Sequence, residues 1–251
     1  PEAPSPLRAR ALFRAGTLAR RQGDLEGACA RLEACLPVLR PTGNARMLAE
    51  TLAQLGMIAN AMADRCRAEE LLGQALEANR AAGEPIAIGS TLHDLGSVAR
   101  DSAEYSRARE LLEESLAEFE RAGFRQGIGV AYCELGLIAL REGAPNEAVR
   151  QAERGLGVAR EAGIGFLEAY AQMVLGEVAL DAGDARAARV HFAEALSIAR
   201  SLGSGELIAL GLEGCAQAAA LVGESERAVT LFSAASALRT AMNETLAEPD
   251  I

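Results

Sequence analysis

A pattern of small residues returns every 40 positions along the chain. Leu95-Gly96 has counterparts in Leu55-Gly56, Leu135-Gly136 and Leu175-Gly176, and weaker ones in Ala15-Gly16 and Cys215-Ala216. Three residues later an alanine stands in every copy: Ala19, Ala59, Ala99, Ala139, Ala179 and Ala219. A second alanine column runs through Ala28, Ala68, Ala108, Ala148, Ala188 and Ala228. A fixed period between about 20 and 50 residues is the mark of stacked supersecondary units. Six units are therefore expected, at about 4–43, 44–83, 84–123, 124–163, 164–203 and 204–243, in one domain spanning residues 1–251.

Each unit reads as two helices, A and B. In the third, Pro85 stands in the first turn, where its missing N–H costs nothing, and Ile88, Leu92, Leu95, Gly96 and Ala99 follow the spacing of one helical face. Helix A is expected to end near Ser102. Helix B is expected from about Glu104 to Ala122, with Ala108, Leu111, Leu112, Ser115, Leu116 and Phe119 turned inward. Gly43, Gly83, Gly123, Gly163 and Gly203 stand where a left-handed cap closes helix B, and Asn243 takes that place in the sixth unit. Gly23-Asp24, Ala63-Asp64, Gly143-Ala144-Pro145, Gly183-Asp184 and Gly223-Glu224 punctuate the turn from A to B, where an aspartate can cap the next helix. Pro37 falls inside helix B of the first unit and predicts a kink or an early end there. A lone hairpin cannot bury both faces, so neighbours must stack. The predicted fold is an all-α, right-handed solenoid of about six helix-turn-helix units.

Composition fits that reading. Half of the residues are apolar, 4% are aromatic and Trp is absent, a palette suited to close helix packing. The net charge is −10, and every one of the 25 basic residues is arginine. Residues 1–46 are net +4 and the remainder −14. An acidic body lacks the basic stripe that a nucleic-acid backbone demands, so direct binding to nucleic acid is not expected. The five cysteines show no C-x-x-C spacing, which suits reduced thiols in the cytoplasm. No stretch approaches the roughly 18 uninterrupted apolar residues of a membrane span, and the first residues lack the apolar run of a signal peptide.

These columns resemble tetratricopeptide (TPR) repeats. The Leu-Gly pair, the alanine three residues on, the alanine of helix B, and the large residue four positions later (Leu32, Leu72, Leu112, Phe192 and Phe232) all match, and Ala152 is the exception. The usual Trp and the helix A Tyr are absent, and the unit is 40 residues rather than about 34. Forty-residue units of the form seen from Ala108 to Phe119 resemble the sensor regions of bacterial LuxR- and AfsR-type regulators and of STAND-class ATPases. The segment Glu226 to Arg239 is similar to the one that closes TPR arrays in such regulators. The resemblance implies a piece of a larger protein that binds an effector or a protein partner and is not itself an enzyme.

No phosphate loop, zinc pattern, nucleophile elbow or dinucleotide fingerprint is present, so no cofactor is expected. In TPR hairpins the helix A positions turned away from helix B face a concave groove. Because the core columns are held by small residues, the chemical variety lies in this groove. The candidate ligand-binding residues there are Asn60, His93, Ser97, Arg100, Cys133, Leu137, Tyr170, Met173 and Glu177. A rival assignment has Leu137, Leu140, Met173 and Leu180 merely packing successive A helices. His93, Cys133, Met173 and Glu213 stand in file, but with helix axes about 8–10 Å apart four of them cannot reach one ion, so no metal site is expected. The expected occupant is a peptide, a protein partner or a small effector. Alternatives are a general adaptor holding a peptide or partner helix, and an enzyme or metal protein using His93 and Cys133. The sixth unit has apolar Val229, Phe232 and Leu238 on helix B with only ten residues behind it, which predicts a homodimer through this end or a continuation that packs there.

Overall fold

The computed structural model describes residues 6–42 and 44–247, and among these it contains helices and turns only. Six A helices, α1 (Pro6–Arg21), α4 (Ala45–Ala61), α6 (Pro85–Asp101), α8 (Arg125–Arg141), α10 (Gly165–Asp181) and α12 (Gly205–Leu221), alternate with B helices. The B helices are α2 (Leu25–Glu33) with α3 (Leu36–Thr42), then α5 (Arg65–Ala82), α7 (Tyr105–Ala122), α9 (Pro145–Ala162), α11 (Ala185–Leu202) and α13 (Ser225–Ala247). They form two compact units, Pro1–Ala122 and Gly123–Ile251. The predicted all-α hairpin repeat is present in each. No described helix is long and apolar enough to cross a membrane.

The turns explain why the helices start and stop where they do. Six positions 40 apart, Gly23, Ala63, Ala103, Gly143, Gly183 and Gly223, have positive φ, and so do Gly83, Gly123, Gly163 and Gly203 halfway between them. At Gly183 the N–H donates to the carbonyl of Leu180, and the next N–H, of Asp184, reaches back to Ala179. The same pair of bonds recurs at the turn between repeats, from Gly203 to Arg200 and from Ser204 to Ala199. This is the Schellman closure, which satisfies the last carbonyls of a helix. The following residue then caps the next helix: Asp24, Asp64 and Asp184 accept from the N–H of Gly27, Arg67 and Ala187. Gly43 lies outside the described residues. Asn243 does not close the sixth unit as expected, because α13 runs through it to Ala247.

The two sequence columns meet in the core. A Cβ placed on Gly16, Gly56, Gly96 or Gly176 would lie 2.7–3.0 Å from Leu32, Leu72, Leu112 or Phe192 of the paired B helix. Glycine in helix A thus makes room for a large side chain from helix B. In the fourth repeat Ala152 replaces that side chain and the backbones draw together, so that the nearest atom to such a Cβ on Gly136 is the Ala148 carbonyl oxygen at 3.1 Å. The first repeat breaks at Ala34–Cys35, where α2 ends and α3 begins. Pro37 is the cause: it has no N–H to give to the carbonyl of Glu33, and its ring would collide with that carbonyl. As the second residue of α3 it is harmless. Phe232 differs from its column, being 41% exposed where Leu32, Leu72, Leu112, Ala152 and Phe192 are buried.

Candidate functional site

In the first unit the faces of α1, α4 and α6 share one open surface. A cleft of ≈ 430 Å³ is lined by Phe13, Arg20, Glu50, Ala53, Gln54, Met57 and Asp94. A second opening beside it is lined by Arg10, Phe13, Arg14, Asn44, Arg46, Met47 and Glu50. A third, of ≈ 370 Å³, continues along α4 and α6 past Glu50, Ala53, Ser90 and Asp94. Apolar Phe13, Met57 and the alanines thus alternate with polar groups on one face, the composition of a binding surface. Arg20 donates to Gln54 Oε1 at 2.8 Å and Arg46 pairs with Glu50 at 3.1 Å, which fixes the side chains over the clefts.

The candidates of this unit sit around and beyond these clefts. Asn60 donates to Asp101 Oδ2 at 2.9 Å and accepts from Arg65 at 3.2 Å, while Arg100 turns onto the same Asp101. His93 Nδ1 stands 3.6 Å from Asp94 Oδ1. Ser97 is buried, and its hydroxyl is taken by the carbonyl of His93. Gln54 and Asp94, which the sequence reading left out, belong with the clefts. They are one position beyond Ala53 and His93, a step of about 100° around the helix, so both columns border the same opening.

In the second unit the candidates divide by burial. Cys133 is 0% exposed and packs with Ala152, Leu156 and Leu167, and Met173 is buried with Phe192 and Leu207. Cys133 fits over Gly155 of α9, where a Cβ would lie 2.7 Å from its sulfur, and Met173 packs toward α11 and α12 instead. Burial, with the charge of Glu134 adding to it, pushes the Cys133 thiol up to about 12. A buried thiol held neutral in this way is a poor nucleophile, and Cys133 does not reach the open face on which the sequence had placed it. Leu137 is half-buried against the same core. Tyr170 is half-buried there too and donates its hydroxyl to Glu134. Glu177 lines a shallow depression with Leu140, Arg141, Leu180, Asp181 and Gln217.

Two polar residues in the inward column of α8 and α10 also escaped the sequence reading. Tyr132 lies under the Arg154 guanidinium, 4.2 Å from its ring centre, and its hydroxyl accepts from Arg154 at 2.7 Å. Gln172 meets His191 Nδ1 at 2.7 Å. Both stand where Leu52 and Leu92 stand in the first unit. Among the described residues no group of three or more His, Cys, Asp or Glu is placed to hold a metal ion.

No family model and no curated protein matches this sequence. Solved structures do match its fold. The chain is similar to aspartyl phosphate phosphatase F from Bacillus subtilis, at 13% identity and a TM-score of 0.78 over 100% of this chain and 64% of that one. It is also similar to the Rap conjugation gene regulator of the plasmid pLS20 in complex with the Phr* peptide, at 13% identity and a TM-score of 0.67 over 96% of this chain and 76% of that one. Similarity extends to the nearly identical TPR-like repeats of a kinesin light chain protein from Podosopora anserina, at 19% identity and a TM-score of 0.63 over 81% of this chain and 100% of that one. The fold is that of TPR-like helical repeats.

Proposed function

We propose that this TPR-like repeat protein is a non-enzymatic scaffold that holds a peptide or an extended partner segment along the A-helix face of its first unit. The observation that carries the reading is the run of three adjoining clefts along α1, α4 and α6: Glu50 borders all three, Phe13 the first two, and Ala53 and Asp94 the first and third. A continuous furrow with alternating apolar and polar walls suits an extended chain better than a compact metabolite. Asn60, His93, Ser97 and Arg100 extend this face toward the ends of α4 and α6. Leu137, Tyr170 and Glu177 are the equivalent positions in the second unit, with Cys133 and Met173 acting through packing. A regulator similar in fold is described with a bound peptide, which supports the finer reading: the sensing segment of a bacterial signalling or transcriptional regulator, in which the occupant shifts the equilibrium between two states of attached domains.

The test is a displayed peptide library panned against the purified chain, followed by anisotropy measurements with the selected peptides. Met57→Arg and Ser90→Arg place a long side chain in two different clefts. Binding should fall in both variants while circular dichroism stays unchanged. Selected peptides that bind both variants as tightly as the parent would remove the A-helix face from consideration.

A further inference from the structure

Ile58, Val98, Val178 and Ala218 hold one position in four A helices, and none is more than 5% exposed. Each is buried in a cluster with the B helix of the repeat before it: Ile58 with Ala28 and Leu32, Val98 with Ala68 and Leu72, Val178 with Ala148, and Ala218 with Ala188 and Phe192. Leu18 holds the same position in α1 and is 56% exposed. Leu7 is 75% exposed, whereas its counterparts are buried, Leu167 with Leu156 and Ala159 and Leu207 with Ala195 and Ala199. Ala11 and Ala15 stand between Leu7 and Leu18 and are exposed as well. The four residues form a single stripe at helical spacing. α1 therefore displays one half of the seam that joins repeat to repeat, with the apolar side chains in place.

α13 displays the other half. The positions that receive the incoming A helix, Ala188 and Phe192 in the fifth repeat, are Ala228 and Phe232 in the sixth, where Phe232 stands exposed beside exposed Val229. At the seam between α11 and α12 the Phe192 ring lies against Gly214, where a Cβ would be 2.3 Å from it, and Leu196 lies 3.4 Å from such a Cβ on Gly211. Small residues of the A helix thus admit large ones of the B helix before it. α1 offers Ala11 at the Gly211 position and Ala15 at that of Cys215. Arg14 stands at the Gly214 position, and a guanidinium over an aromatic ring is a pairing already present here between Arg154 and Tyr132. The charges of the two repeats are complementary. Residues 4–43 carry seven arginines against three acids, and residues 204–243 four glutamates against two arginines, so the faces attract one another.

We propose that the face of α13 takes α1 of a second copy of this chain, with Leu18 against Ala228 and Phe232, so that copies join head to tail through a seam of the kind that joins the repeats. Such a contact is heterologous. Each copy offers one face of each kind, and association continues beyond two copies unless the series closes on itself. A homodimer through the sixth unit would instead set α13 against α13, and α1 would take no part. The contact goes beyond the peptide reading and stands or falls independently of it.

The experiment is sedimentation velocity of the purified chain over a wide concentration range, with two single variants and their mixture. The mass of the parent should rise with concentration. Leu18→Glu and Phe232→Glu, both at exposed positions, should keep the circular dichroism and melting temperature of the parent and sediment as monomers. Mixed in equal amounts, they should form a dimer and nothing larger, because one variant keeps its α13 face and the other its α1 face. Pairing of α13 with α13 cannot give that complementation. Leu7→Glu in place of Leu18→Glu should behave in the same way. A parent that stays monomeric up to millimolar concentration, an association that survives Leu18→Glu, or a mixture of the two variants that remains monomeric overturns the proposal.

Discussion

A Cβ on Gly56 would lie 2.7 Å from Cγ of Leu72, closer than two such carbons ever approach. Gly56→Ala should therefore destabilise the first unit by about 1–3 kcal/mol through overpacking, read as a lower midpoint in thermal or urea unfolding. Shortening the partner should relieve it, so Gly56→Ala with Leu72→Val should recover part of the loss. The fourth repeat should behave differently. Around Gly136 the nearest atoms are the backbone of Ala148 and Ala152, and no trimming of a side chain can make room. Gly136→Ala should stay destabilised whatever is done at position 152.

The turns supply a second test. Ala63 and Ala103 are held at φ 63° and 59°, where an L side chain costs roughly 1–2 kcal/mol. Ala63→Gly and Ala103→Gly should each raise stability by about 0.5–1 kcal/mol, the penalty removed less the extra chain entropy of glycine. Gly183→Ala should do the opposite although nothing lies within 4 Å of the new methyl group. Chemical unfolding of the three variants checks both signs.

Caps give a third. Asp64 accepts from the N–H of Arg67 at 3.2 Å and starts α5. Asp64→Ala should cost about 1 kcal/mol, while Asp64→Asn, which keeps the acceptor, should cost much less.

Cys133 predicts a pH dependence. Its thiol is pushed from 9.0 up to about 12, mainly by burial. The unfolded chain ionises first as pH rises, so the stability tied to the neutral thiol is fully present below about pH 9 and is lost progressively between about 9 and 12. Burial raises Cys35 in the same direction. Urea midpoints across this range should fall less steeply for Cys133→Ala than for the parent. In thiol titration at neutral pH, exposed Cys66 should react in the folded protein, and Cys35 and Cys133 only after unfolding.

The repeat was legible because its columns are geometric necessities. A large residue at Leu32, Leu72, Leu112 or Phe192 requires a missing Cβ opposite, so each column announces the other. The break before Pro37 was legible for the same reason, since a proline cannot be accommodated mid-helix. The binding face was harder to read. Positions such as Ala53 and Gln54 both border the cleft, and periodicity alone does not say where the edge of a 100° step falls. Cys133 and Met173 were read as facing outward by equivalence with Phe13, Ala53 and His93. Instead Cys133 fills the space left by Gly155, and Met173 packs against Phe192 and Leu207. Asn243 was given a cap's role from its phase, but only backbone geometry distinguishes a helix that stops at that residue from one that continues. The alternative based on His93 and Cys133 could not be weighed until burial of the thiol was visible.

From Ala63 to Gly223 the left-handed turns fall every 20 residues, and the bonds that close the turn within a repeat also close the turn between repeats. Each helix therefore meets its partner across only a short loop of intervening chain, and the entropy cost of closing such loops is small. Contacts so local in sequence favour rapid folding, with nucleation open to any hairpin in either compact unit rather than reserved for one. Weakening a single turn should speed local opening of its own hairpin while the rest of the chain keeps its protection against hydrogen exchange.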